Sequence, residues 1–254
     1  MKGELSLKVI RGKTGREGYH LKADHPTEHV EVQDFVSELC RSSNTDWNRL
    51  LETNETAQRI HRDFVGAIRT GIRGTYFRAR SYPASTSQPT SQKLWAPPAS
   101  KQAIGRYNEL GNRVLYLSRN VQTVVAECPT TVEKPKLFIQ KFLLNFPTRG
   151  MLPLELDLET NHPYLHYLLL DSEYVPEATA EFANVRNPYR ATHFLAHLGR
   201  LNGVSGIEYP SVRGGIQSDS NAVNLVLMDE AVGEAEAMTD GLPFLLSECD
   251  HGAG

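Results

Sequence analysis

The sequence predicts an α+β fold: a mixed β-sheet core with flanking helices, preceded by a mainly helical amino-terminal extension. Three observations carry that expectation. Short apolar runs at 75–80, 114–118, 137–146, 152–158, 206–211 and 222–228 read as strands. Helical periodicity fills 30–72 and again 188–202. The two patterns do not alternate strictly, as a doubly wound α/β sheet would require.

Residues 1–27 open as a short strand or hairpin, with Leu5, Leu7 and Val9 alternating with polar partners before Gly-rich turns. The helical stretch that follows holds Ile60, Phe64 and Ile68 at i, i+4, i+8, with Thr56 as its expected cap. Arg59, Arg62 and Arg69 fall on the opposite face, a basic face that could grip phosphates but reads first as a solvated one. Residues 75–80 form a strand, and 81–100, rich in Ser, Pro, Thr and Gln, form a loop ending in Trp95-Ala96-Pro97-Pro98 on the surface. Val114–Ser118 is a short buried strand leading into a helix whose Val121, Val124 and Val125 turn Glu127 inward. The helix over 188–202 buries Phe194, Leu195 and Leu198 and stops at Gly203. Beyond Arg213 come eight carboxylates and no Lys or Arg, which predicts an acidic, frayed tail. The expected division is therefore an extension over 1–71, the main domain over 72–232 and the tail over 233–254.

Composition narrows the function. A chain of 254 residues, 40% apolar and 22% charged, is an ordinary globular protein that needs no staples for its core. A net charge of −3 and a pI near 6.3 argue against an electrostatic nucleic-acid binder. The longest apolar stretch, near Tyr164 to Leu170, is core-sized, so no membrane association is expected. No signal peptide is visible, and Cys40, Cys128 and Cys249 have neither metal nor disulfide spacing. A cytoplasmic location is the expectation.

Nucleotide and hydrolase motifs such as G-x-G-x-x-G, the P-loop, G-x-S-x-G and H-E-x-x-H are absent. His193 and His197, like His162 and His166, stand at i, i+4 without a third ligand nearby, and no metal is expected. Five stretches remain. They are Tyr76-Phe77-Arg78-Ala79-Arg80; Ala96-Pro97-Pro98 with Gly105-Arg106-Tyr107-Asn108 and Val114-Leu115-Tyr116-Leu117-Ser118; Ala126-Glu127; Gly206-Ile207-Glu208-Tyr209-Pro210-Ser211; and Asn224-Leu225-Val226-Leu227. In order and spacing they resemble the RES family, named for its Arg, Glu and Ser. The resemblance covers about residues 72–230 and is loose between 136 and 186.

That resemblance implies an ADP-ribosyltransferase-like fold and an activity that degrades NAD⁺ as a glycohydrolase or phosphorylase. Many members of the family are toxins of toxin–antitoxin pairs, so an antitoxin partner is an expectation as well; for residues 1–71, outside the resemblance, covering the pocket, self-association and antitoxin contact all stay open. Catalytic roles fall on Glu127, Arg78, Tyr116 and Ser211, and cofactor contacts on Arg78, Arg106, Asn108, Tyr116 and Ser211. The chemistry of NAD⁺ agrees. Its pyrophosphate suits a bidentate arginine such as Arg78, and its cationic nicotinamide suits an aromatic wall such as Tyr116. Its ribose reacts through an oxocarbenium-like state that a carboxylate such as Glu127 stabilises. Arg106 is a second phosphate candidate, and Ser211 reaches either a phosphate or the carboxamide. Arg80 shares a strand face with Arg78, and the residues alone leave open which of the two acts. The acceptor also stays open among water, phosphate and protein. Transfer to a protein would use 81–95 as the acceptor loop, and a non-catalytic NAD-binding module is the remaining alternative.

Overall fold

The computed structural model describes residues 8–11, 17–20, 26–41, 46–128, 136–153, 161–173, 189–211 and 222–246. Strands β1 (Lys8–Arg11) and β2 (Glu17–His20) pair antiparallel, as the alternation predicts, although Leu5 and Leu7 lie outside the described residues. Helices α1 (Pro26–Arg41), α2 (Trp47–Thr53) and α3 (Glu55–Ala67) follow. The cap of α3 is Asn54, whose Oδ1 accepts from Ala57 N over 2.9 Å, and not Thr56, which sits inside the first turn. Ile60 and Phe64 are fully buried, each burial stabilising by about 1.5–3 kcal/mol. Arg59 departs from the solvated face expected of it: it binds Glu31, Glu55 and the hydroxyl of Tyr164.

The sheet is mixed and six-stranded, in the order β3 (Arg69–Tyr82), β4 (Val114–Ser118), β7 (Val223–Met228), β6 (Val204–Pro210), β5 (Lys136–Leu152), β8 (Thr239–Leu245). Only the β5–β6 pair is parallel. β3 also pairs with β5 along most of its length, which closes β3, β4, β7, β6 and β5 into a ring with β8 outside it. The α+β architecture expected from sequence is thus present. Two strands expected over 137–146 and 152–158 are instead one long β5 as far as Leu152; residues 154–158 lie outside the described residues.

One face of the sheet packs under α1, α2, α3, α5 (Pro163–Glu173) and α6 (Arg190–Leu201), in a core joining Val32, Ile60 and Phe64 to Val114, Val226 and Ile207. The opposite face is lined by Ile72, Tyr76, Leu115, Leu117 and Phe142 and is covered by α7 (Glu230–Ala237). One sequence expectation fails here and a second holds only in part. Residues 233–246 do not fray, because α7 and β8 bury Ala235 and Glu236 and pair with β5. Their carboxylates find cations elsewhere in the chain, as in Arg113–Glu236 and Lys141–Asp240. The Trp95–Pro98 tail of the loop before β4 is a surface loop only in part: Pro98 is exposed, but Ala96 is buried and its N donates to Glu236 over 3.1 Å. Low helix and strand propensity speaks to conformation, not to exposure. α6 ends as expected at Gly203, which takes φ +65°. No helix among the described residues is long and apolar enough to cross a membrane.

Candidate active site

Glu127 is the last residue of α4 (Val121–Glu127), a helix whose start is fixed by Asn120 Oδ1 accepting from Thr123 N over 2.7 Å. Nothing in the helix's own stability asks for a carboxylate there, since the carboxyl end of the macrodipole disfavours negative charge. The carboxylate is held from the sheet. Ser211, directly after β6, donates its hydroxyl to Glu127 Oε1 over 2.6 Å. Asn224 on β7 donates Nδ2 to the same oxygen over 3.1 Å, and its own Oδ1 accepts from the hydroxyl of Ser118 on β4. Ser118, Asn224 and Tyr209 are direct register partners across β4, β7 and β6, so they share a face. Glu127 is half-buried, and its Oε2 makes no hydrogen bond among the described residues. The result is a carboxylate oriented through one oxygen, with the other unengaged among the described residues.

Tyr209, the register partner of Asn224, belongs to a second group. Its hydroxyl is pushed well above the usual tyrosine range, first by burial, then by Tyr116, Tyr107 and Glu127. The Arg106 guanidinium lies 5.8 Å from the centroid of the Tyr209 ring, and Tyr107 packs on that ring at 4.7 Å. Tyr116 is half-buried; its hydroxyl accepts from Tyr107 N and donates to Asn108 Oδ1, each over 2.9 Å. Asn108 spends its amide on the Ala103 carbonyl over 2.8 Å and is buried. Gly105 is required in this loop by close approach: a Cβ there would stand 2.6 Å from Asn108 Oδ1 and 3.0 Å from the Tyr116 hydroxyl. Tyr116 and Asn108, both expected to touch cofactor, bond to each other and to the backbone of the loop that carries Arg106.

Arg78 stands apart from both groups. Phe77 faces Ser118 in register, so Arg78 and Arg80 point to the other side of the sheet with Tyr76. Arg80 Nη2 is spent on the Trp95 carbonyl over 2.9 Å, whereas Arg78 Nη1 is buried with no hydrogen-bond partner among the described residues. Burial, reinforced by Arg80, pushes the Arg78 guanidinium down to about 9. The link between the two sides is Cys128, next to Glu127, whose thiol takes a hydrogen bond from the Ser81 backbone and feels the charge of Arg78 and Arg80. No direct bond joins Arg78 to Glu127 or Ser211 among the described residues.

Asn224, Ser118 and Tyr209 carry no role that the sequence alone marks. Their only signal was membership of the ordered stretches, because a lone Asn or Ser at a strand end reads as a turn residue. The same holds for Glu208, a buried carboxylate that accepts from Tyr76 over 3.2 Å and is paired with Arg119. The stretch 81–95 is tied down: Gln88 donates to the Pro243 carbonyl over 2.7 Å, and Leu94 is buried.

The RES domain family model matches residues 75–247, more than half of the chain. No curated protein matches. Among solved structures, a chain of the MbcT–MbcA toxin–antitoxin complex of M. tuberculosis is similar at 12% identity and a TM-score of 0.46, covering 76% of this chain and 95% of that one.

Proposed function

Because the chain belongs to the RES domain family, we propose that it consumes NAD⁺ by breaking the bond between nicotinamide and ribose. The carrying observation is the half-held Glu127, with Oε1 fixed by Ser211 and Asn224 and Oε2 unengaged among the described residues. In this reading Oε2 receives a ribose hydroxyl and faces the anomeric carbon. As the C–N bond breaks, nicotinamide leaves with the bonding pair and positive charge grows on the ribose, which the preorganised carboxylate stabilises. A group of that kind is worth about 3–4 kcal/mol in comparable roles. Water or phosphate then attacks the anomeric carbon, giving ADP-ribose or its phosphate. Ser211 and Asn224 act as positioning residues for the carboxylate. Arg106 offers positive charge beside Tyr209, and Arg78, whose buried Nη1 makes no hydrogen bond among the described residues, is assigned to a phosphate in preference to Arg80.

An ADP-ribosyltransferase-like fold, a growth-arresting toxin role and an antitoxin partner belong to the same proposal. Transfer to a protein is less favoured, since the 81–95 stretch that would receive an acceptor is fastened to β8. The test is incubation of purified protein with NAD⁺, with and without phosphate, followed by separation of nicotinamide and the ADP-ribosyl product. Nicotinamide release supports the reading, and phosphate dependence identifies the acceptor. No release in either buffer overturns it.

A further inference from the structure

The loop 105–109, which carries Arg106, is irregular, yet it is fastened along its length by one turn of helix. Three side chains from the start of α6 do this. The His193 imidazole lies with Nε2 2.8 Å from the Gly105 carbonyl, the Thr192 hydroxyl shares its one hydrogen between the Arg106 carbonyl and, over 3.0 Å, the Tyr189 carbonyl of its own turn, and Arg190 Nη1 reaches Glu109 over 3.3 Å. All three residues are buried. A carbonyl can only accept, so His193 must carry its hydrogen on Nε2, and its Nδ1 then faces Glu109 at 3.8 Å. Burial lowers the His193 pKa and so favours that neutral form.

The clamp is backed from the amino-terminal helices. Trp47, the first residue of α2, lies under Arg190 with the guanidinium carbon 4.4 Å from its ring centroid. The same indole packs on Phe194 and His197 of α6. A chain of contacts thus runs from α2 through α6 to the backbone on either side of Arg106.

We propose that Arg190, Thr192 and His193, braced by Trp47, are positioning residues that set the loop bearing Arg106 and thereby the affinity for the dinucleotide. The amino-terminal helices belong in this account to the substrate site and are not an appended module. The inference rests on the reading of NAD⁺ as substrate, but its mechanical half does not. Loop order is measurable without turnover.

Two measurements on the full chain separate these. The first is amide hydrogen exchange of residues 104–110, and the second is KM against kcat for nicotinamide release. His193→Phe keeps a ring and loses the donor; His193→Gln retains an amide donor near the position of Nε2; Thr192→Val removes one hydroxyl at constant shape. Losing one hydrogen bond to a loop carbonyl is expected to speed exchange there by about tenfold, the scale of one such bond. His193→Phe is expected to raise KM about tenfold with kcat within about threefold, the signature of lost binding and not of lost chemistry. His193→Gln restores both readings, and Thr192→Val, the variant that perturbs the fold least, moves exchange and KM in the same direction as His193→Phe. Wild-type exchange in both His193→Phe and Thr192→Val overturns the clamp. Faster exchange with unchanged KM overturns its role in affinity. If wild-type protein releases no nicotinamide, the substrate reading fails and the exchange data still decide the clamp.

Discussion

Ser211 and Asn224 reach Glu127 from neighbouring strands and meet on one oxygen, Oε1, at 2.6 and 3.1 Å. The last residue of α4 and two positions far along the chain are thereby fixed on a single atom. The arrangement resists rotation of the carboxylate while leaving Oε2 unengaged among the described residues.

Removing either donor loosens the carboxylate without discharging it. Ser211→Ala and Asn224→Ala are each expected to lower kcat/KM for nicotinamide release by about tenfold to a hundredfold, the range of about 1.5–3 kcal/mol for hydrogen bonds to charged groups. Steady-state kinetics check this, and the double variant should fall short of additive because both donors serve one atom.

Arg78 tests whether a cation with a buried, unbonded Nη1 serves ligand or fold. Its Nη1 has no partner among the described residues and its charged form is disfavoured by burial, so Arg78→Met should cost little stability or raise it by about 1 kcal/mol. The same variant should lose NAD⁺ binding by about a hundredfold or more, since a bidentate phosphate contact disappears. Urea denaturation and calorimetric titration measure the two halves. A strongly destabilised variant would mean that Arg78 is a structural ion-pair partner.

Tyr116 gives the opposite expectation. Its hydroxyl bridges Tyr107 N and Asn108 Oδ1, both inside the loop, so Tyr116→Phe leaves buried groups unsatisfied. A loss of about 1–3 kcal/mol in unfolding free energy is expected. Unchanged stability with lost activity would instead return Tyr116 to the cofactor wall that the family resemblance assigns it.

The pH dependence of stability follows from α6. Burial lowers the pKa of both His193 and His197, with Arg190, Arg200 and His61 adding to the effect and the Gly105 hydrogen bond of His193, Glu109 and Asp46 opposing it. The unfolded chain then binds protons more readily than the folded one, so stability is fully present above the unfolded histidine value of about 6.5. It falls as pH drops from there toward the lowered folded values. Thermal midpoints between pH 8 and pH 5 should decline on the acid side, and His193→Gln should flatten that decline in part.

Much of this molecule is legible in its sequence where periodicity and ordered motifs reinforce each other. Val114–Ser118 is a strand with the bounds expected, and α6 runs from Arg190 to Leu201 with its stop at Gly203. The family stretches brought Glu127 and Ser211 into the same list, and the structure bonds them to each other. What failed had local causes. Asn54 outcompetes Thr56 as a cap because it stands one residue before the first helical turn. The acidic composition after Arg213 hid α7 and β8, because the β5 partners of β8 lie far upstream, beyond the reach of any local pattern. The face on which Arg78 lies depends on strand pairing, and only the register of Phe77 with Ser118 shows that it points away from Glu127's holders.

The central claim is that Glu127 stabilises charge on the ribose, and the replacement Glu127→Gln tests it most directly. Nicotinamide release should fall by about 10²-fold or more, the cost of one preorganised electrostatic group, while NAD⁺ affinity measured by titration stays within a few-fold. Release of nicotinamide by the Glu127→Gln variant at the wild-type rate would contradict the account.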